Sequence, residues 1–124
     1  MNITVTRNPH PGKLPPADQL GFGSVFTDHM FVMDYTEGRG WHDARIVPYG
    51  PISVSPAASV LHYGTEVFEG LKAYRTPDGG VQLFRPWENV ARLNRSCDRL
   101  GLPEIDPDDG LQALKSLVDV GRDW

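Results

Sequence analysis

The stretch His62–Gly70 concentrates side chains that could do chemistry. It reads HYGTEVFEG, so a histidine, two aromatic residues and two carboxylates occupy nine positions. The glycines Gly64 and Gly70 permit positive φ or close backbone approach, which ligand-facing turns often require. Loops on a rigid sheet hold functional sites disproportionately often. Two interpretations stay open: a ligand-binding loop, or an ordinary loop entering a strand with Tyr63 and Phe68 in the core.

Three arginines, Arg92, Arg95 and Arg99, recur at three- and four-residue spacing beside an apolar stripe of the same period. This spacing places them on one face of a helix. An arginine can bind a phosphate bidentately, and a helix N-terminus adds free N–H groups for the same purpose. The alternative is a solvated face with local ion pairs to Glu88 and Asp98, and spacing by itself favours that alternative.

The sequence lacks the residue patterns of metal sites, glycine-rich phosphate loops and serine nucleophile elbows. The four histidines have no metal-ligand spacing, and the single cysteine, Cys97, falls on the buried face of its predicted helix, so we predict no metal site. No glycine-rich phosphate loop and no nucleophile elbow occurs. Among the three lysines only Lys72, on a predicted strand, could occupy the desolvated pocket that a Schiff-base lysine needs.

Composition indicates one soluble globular domain that binds neither nucleic acid nor membranes. The 124 residues are 40% apolar and 23% charged, with a net charge of -4. There is no long basic run, and no apolar run approaches the roughly 18 residues of a membrane span. A lone cysteine cannot form an intramolecular disulfide, and the first residues lack the apolar core of a secretory signal. We therefore expect a cytoplasmic protein.

The elements that must position these residues are predicted to be strands up to about residue 85 and helices after it. Residues 1–20 contain four prolines and predict an extended arm, with at most a short edge strand at Ile3–Thr6. Alternating polarity predicts a strand over 25–35. Two short strands are predicted at Ala44–Val47 and Ile52–Val54, and TPDGG at 76–80 predicts a hairpin turn between LKAYR and VQLFR.

Two helices close the sequence. The first begins at Pro86 and stops at Gly101, and the second begins at the Asp106–Pro107 cap and ends near Gly121. Strands followed by helices, without βαβ alternation, predict an α+β fold: a mostly antiparallel sheet with two helices packed on one side. Trp124 is a large apolar residue with nothing after it to pack against, so we expect the chain to be cut there.

Four motifs in order resemble the amino-terminal part of branched-chain-amino-acid aminotransferases. They are FGSVFTDHM at 22–30, GWHDARIVPYGPI at 40–52, LHYGTEVFEGLKAYR at 61–75 and LFRPWENVARL at 83–93. That family depends on pyridoxal 5'-phosphate and has fold type IV. The resemblance implies an extended Pro-rich arm at 1–20 and, at 21–124, an incomplete amino-terminal small domain of an aminotransferase.

The resemblance also assigns roles to four residues. Arg92 matches the family arginine that contacts the cofactor phosphate. Phe22, Tyr63 and Phe68 match aromatic residues that line the pocket for the branched side chain of the substrate. Aromatic walls suit such substrates, because burying each methylene contributes about 0.8 kcal/mol.

The resemblance implies that the catalytic residues lie elsewhere. The family's cofactor-bearing lysine, the carboxylate that pairs with the pyridine nitrogen and most of the phosphate cup lie beyond Trp124, so no catalytic residue is expected in this chain. The intact enzyme would move an amino group between Leu, Ile or Val and 2-oxoglutarate as a homodimer. This chain by itself is expected to bind pyridoxal 5'-phosphate weakly or not at all and to be inactive.

Two other functions stay open from the sequence. The chain could be a non-catalytic dimerisation or binding module, since an incomplete sheet exposes an edge that invites association. It could instead belong to another fold type IV enzyme, such as a D-amino-acid transaminase or an aminodeoxychorismate lyase.

Overall fold

The computed structural model describes all residues, 1–124, and they form two compact units. One unit comprises Met1–Gly50 with Ala113–Trp124, and the other comprises Pro51–Gln112. Their helices and largely antiparallel strands confirm the predicted α+β class. None of the helices combines the length and the apolarity required to cross a membrane.

The first unit contains a three-stranded sheet with the order β1-β3-β2. These strands are β1 at Thr4–Val5, β2 at His29–Thr36 and β3 at Gly40–Pro48. β2 and β3 are antiparallel, whereas β1 lies parallel to β3. On the central strand Ile46 is completely buried and Ala44 nearly so, which makes β3 the centre of this unit's core.

Three differences from the predicted strand boundaries are the largest. The strand predicted from residue 25 begins at His29, and the side chain of Asp28 just before it bonds to Gly12 and Trp124. The strand predicted at Ala44–Val47 extends over all nine residues of β3. No strand forms at 52–54, which the flanking prolines at 51 and 56 explain since proline cannot donate to a sheet.

Besides the pairing of β1 with β3, two side chains hold the amino-terminal arm within the first unit. The ring Nε2 of His29, a buried residue, accepts the backbone N–H of Asn8 at 2.9 Å. The Asp28 carboxylate accepts the backbone N–H of Gly12 at 2.8 Å and the indole N–H of Trp124 at 2.9 Å. The indole of Trp124 is thus bonded within the first unit.

The second unit contains the predicted hairpin. Its strands are β4 at Ala73–Arg75 and β5 at Val81–Leu83, paired antiparallel. In the turn, Thr76 donates its backbone N–H to the carbonyl of Gly80, and Gly79 has a φ of 81°, which explains the glycine there. A short helix, α1, precedes the hairpin at Ser59–Tyr63.

Two longer helices begin and end close to where the sequence predicts. The helix α2 spans Pro86–Leu100, and the backbone N–H groups of Gly101 and Leu102 return to carbonyls of its last turn, which is a Schellman ending. The helix α3 spans Pro107–Val120. The carboxylate of Asp106 caps it by accepting the backbone N–H groups at positions 108 and 109.

Candidate functional site

The helix α2 presents two faces of opposite character. Val90, Asn94 and Cys97 are buried, and their three- and four-residue spacing places them on one side. The Asn94 amide donates to the carbonyl of Ile105 at 2.7 Å and accepts its N–H at 3.1 Å. With that face buried, the arginines on the other side of α2 are directed outward.

The outward face of α2 borders an open cavity of about 530 Å³. Its lining consists of two short segments of chain, one around Phe68 and one on α2: Glu66, Val67, Phe68, Arg92, Arg95, Ser96, Arg99 and Leu100. A second cavity of about 320 Å³ shares Arg92 and Arg95 with the first. The structure thus confirms that the three arginines lie together, and it places Phe68 beside them.

Arg92 is held by Glu69, one of the two carboxylates in the His62–Gly70 run. Its Nε donates to Glu69 Oε2 at 2.6 Å, and its Nη2 donates to Glu69 Oε1. The Glu69 side chain is only 11% exposed, whereas that of Arg92 is 60% exposed. The hydrogen bonds from Arg92, and next those from Asn89, lower the pKa of Glu69 to about 2, so this carboxylate is ionised at neutral pH.

The arginines that line the cavity still have guanidinium N–H groups without a hydrogen-bond acceptor. A guanidinium group has five N–H donors, of which Glu69 engages one on Nε and one on Nη2 of Arg92. The side chains of Arg95 and Arg99 make no hydrogen bond or ion pair. Local pairing with Glu88, the alternative drawn from spacing, is wrong for Arg92, because Glu88 pairs with Arg85. The arrangement suits a bound anion such as a phosphate.

The aromatic residues of the predicted pocket are exposed. The exposed fractions of Tyr63 and Phe68 are 86% and 89%, so the alternative that places both rings in the core is wrong. Tyr63 ends α1 just before Gly64, whose φ is 58°. Phe22 is fully exposed and belongs to the first unit, between two glycines of positive φ. Of these three aromatic residues, Phe68 is the one that lines a cavity with Arg92.

Lys72 does not occupy the kind of pocket that would activate it. Its side chain is exposed, and it lines neither of the two cavities beside α2. A Schiff-base lysine requires desolvation, which lowers its pKa and frees the amine as a nucleophile. The structure therefore gives Lys72 no catalytic surroundings.

The β2–β3 hairpin brings together a second group of titratable residues. Asp34 lies opposite His42 in the sheet, and a bulge at Asp43, with a φ of 55°, turns its carboxylate toward them. Arg45 donates to Asp34 at 2.6 Å, and Arg39 lies 3.6 Å from Asp43. Since each carboxylate already has a cationic partner, the group is an ion-pair network.

Glu69 and Asn89 are the site residues that sequence reasoning missed. The available signal was weak: Asn89 lies one helical turn before Arg92, and Glu69 follows Phe68 in the run of mixed side chains. Nothing local links residue 69 to residue 92, because the contact spans 23 positions and depends on how the chain returns after the hairpin.

Comparison with known proteins identifies a family. No family model matches the chain. It is 58% identical over 110 residues to branched-chain-amino-acid transaminase 1 of Bacillus subtilis, which covers 89% of this chain and 31% of that protein. It is 54% identical over its full length to the Bacillus subtilis branched-chain-amino-acid aminotransferase 2, covering 33% of that protein.

A relative from another organism has the same printed function. Over 104 residues the chain is 55% identical to a probable branched-chain-amino-acid aminotransferase of Streptomyces coelicolor, covering 84% of this chain and 29% of that protein. The chain thus spans about a third of the length of these relatives, and the match lies in their amino-terminal part. By sequence it therefore belongs to the branched-chain aminotransferase family, as a homologue of the amino-terminal third of its members.

Proposed function

We propose that this chain forms the amino-terminal part of a branched-chain-amino-acid transaminase that depends on pyridoxal 5'-phosphate. The observation that carries the proposal is 54% identity over the complete chain to a branched-chain-amino-acid aminotransferase. The reaction is the transfer of an amino group between Leu, Ile or Val and 2-oxoglutarate. The relatives do not favour a D-amino-acid transaminase, a lyase or a non-catalytic module.

The cavity on α2 fits the phosphate of that cofactor. Three arginines line it, and two of them have no anionic partner of their own. In this proposal Arg92 holds the phosphate with the N–H groups that Glu69 does not engage. Pyridoxal 5'-phosphate, when bound, supplies an electron sink for carbanion chemistry at the α-carbon of the substrate.

The exposed aromatic residues fit the apolar end of the substrate. Phe68 borders the cavity that Arg92 lines, so an apolar group bound beside the phosphate site would contact its ring. Phe22 and Tyr63 are further exposed aromatic residues, and we propose that each contacts the branched side chain of the substrate in the complete enzyme. Burying a branched side chain against such rings contributes about 0.8 kcal/mol per methylene.

We further propose that the 124-residue chain does not catalyse transamination by itself. Its three lysines are Lys13, Lys72 and Lys115, and none of them lines the α2 cavity. From the resemblance we also propose that residues 21–124 belong to the small domain, that residues 1–20 form an arm and that the complete enzyme is a homodimer. The lone Cys97 supports a cytoplasmic location.

An activity assay tests the claim about catalysis. The chain is incubated with pyridoxal 5'-phosphate, leucine and 2-oxoglutarate, and glutamate formation is followed. We expect none above the rate of the free cofactor. Sustained turnover by the 124-residue chain would contradict the proposal that its own lysines do no chemistry.

A binding titration tests the assignment of Arg92. The probe is pyridoxine 5'-phosphate, which has the same phosphate but no aldehyde to react with lysines, and binding is followed by NMR. Arg92→Ala should weaken binding roughly tenfold, the order expected when one charge-assisted hydrogen-bonding group is lost. The control is Arg7→Ala in the exposed arm, which removes the same charge. Equal effects of the two substitutions would refute the assignment.

A further inference from the structure

Glu69 engages one particular edge of the Arg92 guanidinium. That edge carries Nε and one hydrogen of Nη2, which donate to the two oxygens of the carboxylate. It is one of two edges on which an arginine can bind a carboxylate or phosphate bidentately; the other is formed by Nη1 and Nη2. Both hydrogens of Nη1 and the second hydrogen of Nη2 remain for another acceptor.

Glu69 is itself fixed by a second residue of α2. Asn89 donates one amide hydrogen to Glu69 Oε1 at 2.9 Å and the other to the carbonyl of Gly70 at 3.0 Å. The backbone N–H of Gly70 also donates to Glu69 Oε1 at 3.0 Å. The carboxylate therefore accepts bonds from both the loop and the helix, and it cannot follow Arg92 if that side chain moves.

We propose that Glu69, braced by Asn89, is a positioning residue that holds the Nε edge of Arg92 so that a bound phosphate meets only the Nη1–Nη2 end of the guanidinium. This rests on the proposed function, because it refines how Arg92 meets the cofactor phosphate. An arginine side chain has many rotamers in solution, and the bidentate pair selects one of them before any ligand arrives. The orientation of the phosphate site is thereby set by residues 69 and 89 as well as 92.

Affinity alone cannot test this positioning role. Glu69→Gln would free the Arg92 side chain, which weakens binding, but it would also remove a negative charge from the cavity, which strengthens the binding of an anion. The informative quantity is therefore which N–H groups of Arg92 respond to phosphate.

The experiment follows the Arg92 Nε–H resonance by NMR in the full chain, with inorganic phosphate as the probe and sodium chloride of equal ionic strength as the reference. In the unsubstituted chain this resonance should have the shift and slow exchange of a carboxylate-bonded N–H, and phosphate should leave it unchanged while the Nη signals move. In Glu69→Gln it should lose that shift and then respond to phosphate. Glu69→Asp should restore part of the bonded shift.

Glu66→Gln is the matched control, because Glu66 lines the same cavity but its side chain makes no hydrogen bond. It should leave the Arg92 Nε–H resonance unchanged. Backbone spectra verify that each variant is folded. If Glu69→Gln does not fold, Glu69→Asp replaces it as the test variant.

Three results would overturn the inference. One is an Arg92 Nε–H resonance that Glu69→Gln leaves where it was. Another is a phosphate-induced shift of that resonance as large in the unsubstituted chain as in the variant. The third is the absence of any Arg92 response to phosphate in either protein; it is distinguishable from the first two, since the ion pair would still be visible and the proposed phosphate contact itself would have failed.

Discussion

Replacing Asn94 by alanine should destabilise the helix that carries the arginines. Asn94 is 9% exposed and makes two hydrogen bonds with the backbone of Ile105, through its amide N–H at 2.7 Å and its carbonyl at 3.1 Å. Each bond contributes about 1 kcal/mol net, and the substitution leaves two partly buried backbone groups unsatisfied, so we expect a loss of about 2 to 3 kcal/mol. That is a large share of the roughly 5 to 15 kcal/mol of a typical domain.

Urea unfolding followed by circular dichroism measures this loss. For a chain of this size the dependence on urea is about 1.5 kcal/mol per M, so the midpoint should fall by about 1 to 2 M. Gln82→Ala is the control, because Gln82 is exposed on β5 and its side chain has no hydrogen bond. It should change the free energy of unfolding by less than about 0.5 kcal/mol.

A second substitution separates the two bonds. Asn94→Asp keeps an acceptor for the N–H of Ile105 but places a carboxylate against its carbonyl, so the variant should be less stable at pH 7 than at pH 3, relative to the unsubstituted chain at each pH. If Asn94→Ala unfolded within about 0.5 kcal/mol of the unsubstituted chain, the reasoning that this side chain fixes α2 to the segment before α3 would be refuted.

Three further predictions concern other contacts. Gly101→Ala should cost about 1 kcal/mol in urea unfolding, because Gly101 ends α2 with a φ of 65° and nothing lies near its missing side chain, so the cost is one of backbone strain; no loss would contradict this. Asp28→Ala should shift Trp124 fluorescence to the red, in a background with Trp41 and Trp87 replaced by Phe, and speed proteolysis of the arm, since it removes the acceptor for both Gly12 and Trp124. Hydrogen bonds from Arg92, and next from Asn89 and the Gly70 backbone, lower the pKa of Glu69 from 4.5 to about 2, so the stabilisation by this ionised carboxylate is fully present above pH 4.5 and is lost as the pH falls toward 2. The free energy of unfolding of Glu69→Gln should therefore depend less on pH between 4.5 and 2 than that of the unsubstituted chain. An unchanged pH dependence would show that Glu69 does not cause it.

The elements predicted well from the sequence are those whose signals are local. The hairpin turn follows from TPDGG, whose glycine takes the positive φ that the turn requires. The ends of α2 follow from Pro86 and Gly101, and the start of α3 follows from Asp106. In each case a few adjacent residues set the backbone energy, so the prediction needs no knowledge of the rest of the chain.

The strands were predicted less well, because their partners are distant in sequence. Alternating polarity does not reveal that β1 joins β3 in parallel, or that β4 and β5 form a sheet of their own. It also does not show that Asp28 leaves the strand pattern to bond Trp124, 96 residues away. Strand ends are decided by which hydrogen-bond partners the fold supplies, and that is a tertiary property.

For the site, the sequence by itself determined the arginine stripe and, through four motifs, the family. Only the tertiary structure decided that Arg92 pairs with Glu69 rather than with Glu88, and that Phe68 shares a cavity with it while Tyr63 does not. The physical reason is that helical spacing fixes which side chains share a face, whereas an ion pair across 23 residues depends on the path of the intervening hairpin.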